Sequence, residues 1–310
     1  MTRKSYIQTK KLRKIILSGL CIAGLIFAAA GCGSKETSQQ NPVVSTSDSD
    51  SEISATTESS VQEPEQNTEN NNANAATSSK NLLDARVDFA AQPGKPVGTT
   101  EQSEEKVVYL TLDDGPSENT QKVLDILDQY NCKATFFVTG EMPEYKDMIK
   151  VAYDKGHTIG LHTYSHTYSK VYASVDAYFE DLDQIGQMVK DEIGYVPCFI
   201  RFPGGSSNTV SAKYTSGIMS ELVKEVQDRG YQYYDWNASS GDGATKTTQE
   251  LIQQATSYHS NNLILLCHDA QAKDTTVEAL PSIIEYYQSQ GYVFKALDRD
   301  SFVAHHSVNN

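Results

Sequence analysis

The chain has 310 residues, with 26 Lys and Arg against 40 Asp and Glu and a formal net charge of −14. That balance argues against nucleic acid as a partner, because a phosphate backbone is met by basic surface. The 5 cysteines include none in zinc-finger spacing and make no disulfide framework.

Arg3, Lys4, Lys10, Lys11, Arg13 and Lys14 precede an apolar run from Ile15 to Ala30. The run is short for a membrane span and ends in small residues and a cysteine, so residues 1–32 read as an export signal. Ala28-Ala29-Ala30-Gly31-Cys32 resembles a bacterial lipobox with Cys32 as the lipidated residue, although Ala29 stands where Leu is usual. An uncleaved N-terminal anchor is the alternative. Either one places the remainder outside the cytoplasm, attached to the outer face of the cell membrane; a lipid group with two or more chains anchors stably. Residues 33–103 are rich in Ser, Thr, Asn, Gln and Glu and poor in apolar residues. They bury too little surface to offset their ordering entropy, which predicts a disordered tether with a short helix near 81–89.

The remainder, 104–310, alternates strand and helix patterns. Strands are predicted at 107–112, 134–138, 158–161, 198–202, 232–237, 263–267 and 293–297. Helices are predicted at 118–130, 175–193, 217–229, 248–258 and 283–290. Ser174 is suited to cap the second of these helices, and Thr247 with Glu250 forms a capping box for the fourth. Such alternation without internal repeats implies an α/β fold with a parallel sheet, either a barrel or an open one. Cys132, Cys198 and Cys267 have apolar neighbours and read as buried thiols.

Four fragments at the ends of apolar runs carry chemistry. Thr111-Leu112-Asp113-Asp114-Gly115-Pro116 puts two carboxylates at one place, where they repel unless a cation or a shared proton offsets the charge. Alone, it equally suits a solvated acidic turn. In His162-Thr163-Tyr164-Ser165-His166 the imidazoles are four residues apart and share a face if the stretch is helical. Two imidazoles and one carboxylate form a ligand set that leaves positions open for water and substrate. Arg201-Phe202-Pro203-Gly204-Gly205 and Leu266-Cys267-His268-Asp269 follow.

In this order the four fragments resemble those of the polysaccharide deacetylases, carbohydrate esterase family four with its NodB homology domain. The segments 133–140 and 156–160 are similar as well, so that the resemblance covers about 106–297. It implies a distorted (β/α) barrel of about seven parallel strands, with the fragments at strand C-terminal ends, where barrel active sites form. It further implies that Asp114, His162 and His166 bind a divalent metal, zinc first, with cobalt, nickel and iron also compatible. Asp113 is then the general base, Arg201 its holder, and His268 the general acid. The backbone N–H of Gly204 stabilises the oxyanion, and Leu266 and Trp236 surround the acetyl methyl.

Two departures stand out. Many members have Tyr where this chain has Gly204, which predicts a missing wall of the substrate cleft. The carboxylate that tunes His268 falls at either Asp235 or Asp242. His157 and His259 are read as structural, and His305 and His306 as an uninvolved polar tail. The implied activity is removal of N-acetyl groups from a cell-wall glycan, foremost the N-acetylglucosamine of peptidoglycan, by a monomer. Other acetylated polymers (poly-N-acetylglucosamine, chitin oligomers, O-acetyl xylan) and a non-enzymatic wall-binding role are the alternatives.

Overall fold

The computed structural model describes residues 87–310, so the export signal, Cys32 and the first part of the tether lie outside the described residues. Among the described residues there are eight strands: β1 (Val107–Asp113), β2 (Ala134–Thr139), β3 (Thr158–Thr163), β4 (Phe199–Ile200), β5 (Gln232–Tyr233), β6 (Ala238–Ser239), β7 (Asn262–His268) and β8 (Val293–Phe294). The helices are α1 (Thr120–Gln129), α2 (Asp147–Asp154), α3 (Tyr168–Val171), α4 (Val175–Ile193), α5 (Ile218–Asp228), α6 (Thr248–Ala255) and α7 (Asp274–Ser289). The sheet order is β5-β4-β3-β2-β1-β7-β6, with β8 paired to β1, and every pairing is parallel. Seven strands thus form a curled α/β half-barrel, as expected.

The sequence explains why β1 lies at the centre. All of Val107–Asp113 is buried, the mark of a parallel strand covered on both faces. Successive side chains point to opposite faces. Val108, Leu110 and Leu112 join the larger core beneath the helices, while Val107 and Tyr109 join a second cluster inside the curl with Phe137, Phe199 and Ile264. Each fully buried leucine contributes about 1.5–3 kcal/mol. The same parity carries Thr111 and then Asp113 into the curl. On β7 it carries Ile264, Leu266 and then His268 inward. On β3 the helix-facing pair Ile159 and Leu161 leaves His162 inward, and after β4 Phe199 sets the parity of Arg201. Asp113, His162, Arg201 and His268 therefore converge at the strands' C-terminal mouth.

Four expectations need correction. The strand predicted at 232–237 is two short strands, because β5 pairs with β4 and β6 with β7 at opposite edges of the sheet. The chain crosses the gap between them, where Asp235 N–H donates to Ala304 O (3.0 Å). The last helix begins at Asp274, not near 283, and continues through Pro281. The helix α2 was not predicted. The tether boundary at 103 is too late: Ala91 N–H donates to Val196 O (2.9 Å), Thr99 N–H to Ser301 O (3.0 Å), and Val97 is buried. Residues 88–99 pack on the domain because their few apolar side chains, Phe89 and Val97, meet the inner cluster. By contrast, α4 has the predicted bounds and its Ser174 cap, and the Thr247–Glu250 capping box is formed. Cys132, Cys198 and Cys267 are free and buried. Among the described residues no helix is long and apolar enough to cross a membrane.

Candidate active site

Asp114, immediately after β1, has φ 68°, and His166 has φ 45°. This left-handed region is uncommon for residues other than glycine, with Asp, Asn and His enriched there. It turns both side chains back toward the strand ends. The His162–His166 stretch is not helical: β3 ends at Thr163 and the chain turns. The imidazoles meet because the turn is pinned from below. Asp181, buried on α4, accepts hydrogen bonds from Tyr164 N–H (2.6 Å) and Ser165 N–H (3.2 Å). The two ring centroids are 5.1 Å apart.

Asp114, His162 and His166 offer ligand atoms within 4.8 Å of one another. Asp114 Oδ1 lies 3.4 Å from Nε2 of each histidine and is buried without a hydrogen-bond partner among the described residues. His162 Nδ1 lies 2.6 Å from Arg201 O. Burial lowers the His162 pKa to about 3, so its ring is neutral. The neutral ring donates from Nδ1 to that carbonyl, leaving the Nε2 lone pair turned toward Asp114. A buried carboxylate oxygen facing an imidazole lone pair is an arrangement that a cation relieves. The donor set fits a divalent metal of the zinc type.

Arg201 is fully buried and donates four hydrogen bonds: Nε to Tyr234 O (2.8 Å), Nη1 to Thr111 Oγ1 (2.7 Å) and Asp113 Oδ1 (2.8 Å), and Nη2 to Asp235 O (3.1 Å). Its guanidinium lies over the Phe137 ring at 4.4 Å. Arg201 is thus the central pin of the mouth, and Asp113 is held by it.

The geometry separates the two acids that the sequence left open. Asp242 Oδ1 lies 2.8 Å from His268 Nδ1, and its Oδ2 accepts from His268 N–H and Thr276 Oγ1, both at 2.8 Å. Burial alone would lower the His268 pKa. The Asp242 hydrogen bond and charge, with the charges of Asp113 and Asp114, outweigh it and raise the pKa to about 9. Asp235 instead accepts from Ser206 N–H (2.8 Å), Ser206 Oγ and His306 N–H (2.8 Å), bracing the Pro203–Ser206 loop. His268 Nε2 faces Asp114 Oδ2 at 3.9 Å, so His268 shares one mouth with Asp113 and with the Asp114, His162 and His166 group.

Leu266 lies two residues before His268 on the inward face of β7. Trp236 packs against Arg201 (5.7 Å) and stands edge-on to His306. The tail is not idle: His306 Nε2 lies 2.6 Å from Trp236 O, and His305 stacks on Tyr233 at 3.9 Å. These contacts fill the gap between β5 and β6, and no pattern in 304–310 announced them. His157 has the expected structural role, its Nδ1 accepting from Ala134 N–H (3.1 Å). Gly204 is exposed at the rim, and the wall expected to be missing is in part supplied from elsewhere. A Cβ at Gly204 would lie 2.6 Å from the Tyr168 hydroxyl.

A family profile described as Polysaccharide deacetylase matches residues 100–233. The putative polysaccharide deacetylase YheN of Bacillus subtilis is 30% identical over 220 residues, covering 68% of this chain and 74% of that protein. A peptidoglycan-N-acetylglucosamine deacetylase of Bacillus cereus is 30% identical over 217 residues, covering 66% and 73%. The crystal structure of the catalytic domain of peptidoglycan N-acetylglucosamine deacetylase from Eubacterium rectale superimposes with a TM-score of 0.66 at 45% identity, covering 68% of this chain and 97% of that one. Fold, convergent side chains and these likenesses agree: the chain belongs to the polysaccharide deacetylase family.

Proposed function

We propose that the protein is a metal-dependent N-deacetylase of the N-acetylglucosamine units of peptidoglycan, tethered outside the cell membrane through Cys32. The observation that carries this reading is the grouping of Asp114, His162 and His166 with the Arg201–Asp113 and Asp242–His268 pairs in one mouth. The substrate rests on the names of the Bacillus cereus and Eubacterium rectale proteins, and the tether on the signal and lipobox sequence.

When bound by Asp114, His162 and His166, a divalent cation supplies Lewis acidity that polarises an amide carbonyl and acidifies water. Asp113, fixed by Arg201, takes the proton from the attacking water as general base. As the C–N bond breaks, the imidazolium of His268 gives its proton to the departing amine, leaving acetate and a free amino sugar. Asp242 accepts from Nδ1–H of that imidazolium, stabilising its charge and orienting its Nε2–H. The N–H of Gly204 donates to the developing oxyanion, and Leu266 and Trp236 enclose the acetyl methyl.

Acetate release from peptidoglycan, chitin oligomers and acetylated xylan tests the substrate. The expected ranking puts peptidoglycan first. Faster release from xylan would replace amide by ester as the natural bond. An active protein would exclude the purely wall-binding role.

A further inference from the structure

Gly204 has φ 76° and lies exposed at the rim of the mouth, yet the space beside it is taken. A Cβ built there would lie 2.6 Å from Tyr168 Oη, 3.1 Å from Asn208 Cβ and 3.6 Å from Tyr168 Cζ. Tyr168 opens α3, two residues after His166. Its ring stands edge-on to His166 (6.0 Å, 88°) and packs against Tyr172 (5.4 Å, 69°). Tyr172 is itself fully buried and donates to Pro203 O (2.8 Å). The Tyr168 ring is therefore oriented from two sides, by a residue of the ligand set and by a side chain bonded to the Pro203–Gly204 loop. Its hydroxyl forms no hydrogen bond with any described residue. A half-buried phenol with a fixed ring and an unspent donor at the edge of a polar mouth is suited to an oxygen-rich ligand.

We propose that Tyr168 is a substrate-positioning residue: its hydroxyl donates a hydrogen bond to a ring or carbonyl oxygen of the sugar whose acetamide enters the mouth. This rests on the deacetylase reading above. Glycine at 204 is then required for space as well as for φ, because any side chain there would meet the hydroxyl. The bond exists before and during the reaction, so its loss weakens binding more than turnover.

The test compares wild type, Tyr168→Phe, Gly204→Ala and the double variant, as purified metal-loaded protein acting on a tetramer of N-acetylglucosamine and on peptidoglycan. Tyr168→Phe keeps the ring packing, and metal content and thermal midpoint are measured beside the kinetics. The expected result is a KM raised about fivefold with kcat changed less than twofold, the loss of one neutral hydrogen bond. Gly204→Ala should lose less activity in the Tyr168→Phe background than in wild type, because a Cβ 3.6 Å from Cζ is ordinary contact once the hydroxyl is gone. An active wild type with an unchanged KM in Tyr168→Phe, or equal Gly204→Ala losses in both backgrounds, overturns the inference alone. A wild type that releases no acetate from either substrate overturns the deacetylase reading and the inference with it.

Discussion

Replacing Asp242 by Asn should convert His268 from a proton donor at neutral pH into a largely neutral imidazole. His268 is 15% exposed and Asp242 2%, so the pair is poorly screened by water. The raised pKa of about 9 against the ordinary 6.5 corresponds to about 3 kcal/mol of preference for the imidazolium. Asn keeps the shape and can still accept from His268 N–H, but it removes the charge, and burial then acts unopposed by it. The His268 pKa should fall from about 9 toward the ordinary 6.5, the charges of Asp113 and Asp114 still countering burial. At pH 7.5 the protonated fraction drops from nearly all to roughly one tenth, so kcat falls about tenfold. A cation on Asp114 repels the imidazolium in both proteins, so the displacement between wild type and variant is the diagnostic. The assay is the pH profile of acetate release, with NMR titration of His268 in the metal-free proteins. The sign also applies to stability: a raised folded-state pKa contributes stability that is full below 6.5 and lost as pH rises through about 9. Asp242→Asn should flatten that loss in the metal-free protein. An alkaline limb and a titration within half a unit of wild type would refute the assignment of Asp242.

Other outcomes follow from the same geometry. Asp113→Asn should lower kcat by about 10²–10⁴ with metal binding retained, checked by acetate release and metal content, because Asp113 faces Arg201 and is not one of the three grouped ligand residues. Arg201→Lys cannot reproduce the four hydrogen bonds of a buried fork, and the unpaired acceptors should lower unfolding free energy by about 2–4 kcal/mol in urea. His162, with its pKa lowered to about 3 by burial, takes up its proton more readily when unfolded. Metal-free protein should therefore lose stability as pH falls from 6.5 toward 3, and His162→Gln should lessen that dependence.

The parts of the site carried by strand parity were legible in the sequence. Asp113 ends an apolar run that stays buried throughout, and His268 ends another, so their shared mouth follows once the sheet is parallel. The parts carried by irregular backbone were not. His-x3-His puts both imidazoles on one face only if the stretch is helical, whereas they meet through a turn with His166 at positive φ, pinned by Asp181 of α4. The choice between Asp235 and Asp242 depended on where the chain bends between β5 and β6, and hydrophobic periodicity carries no information there. Pro281 concealed the first half of α7, although Thr276 in that half hydrogen-bonds Asp242. Nothing local in 88–99 or 304–306 marks them as packed, because their partners lie far along the chain.

The most direct measurement is acetate release from peptidoglycan after chelation, with zinc, cobalt, nickel or iron then added stoichiometrically, beside His162→Ala and Asp114→Ala. Activity abolished by chelation, restored by one equivalent of metal and absent from both variants is the expected result. Full activity in chelated protein, or in either variant, would contradict the assignment of Asp114, His162 and His166 as the metal site.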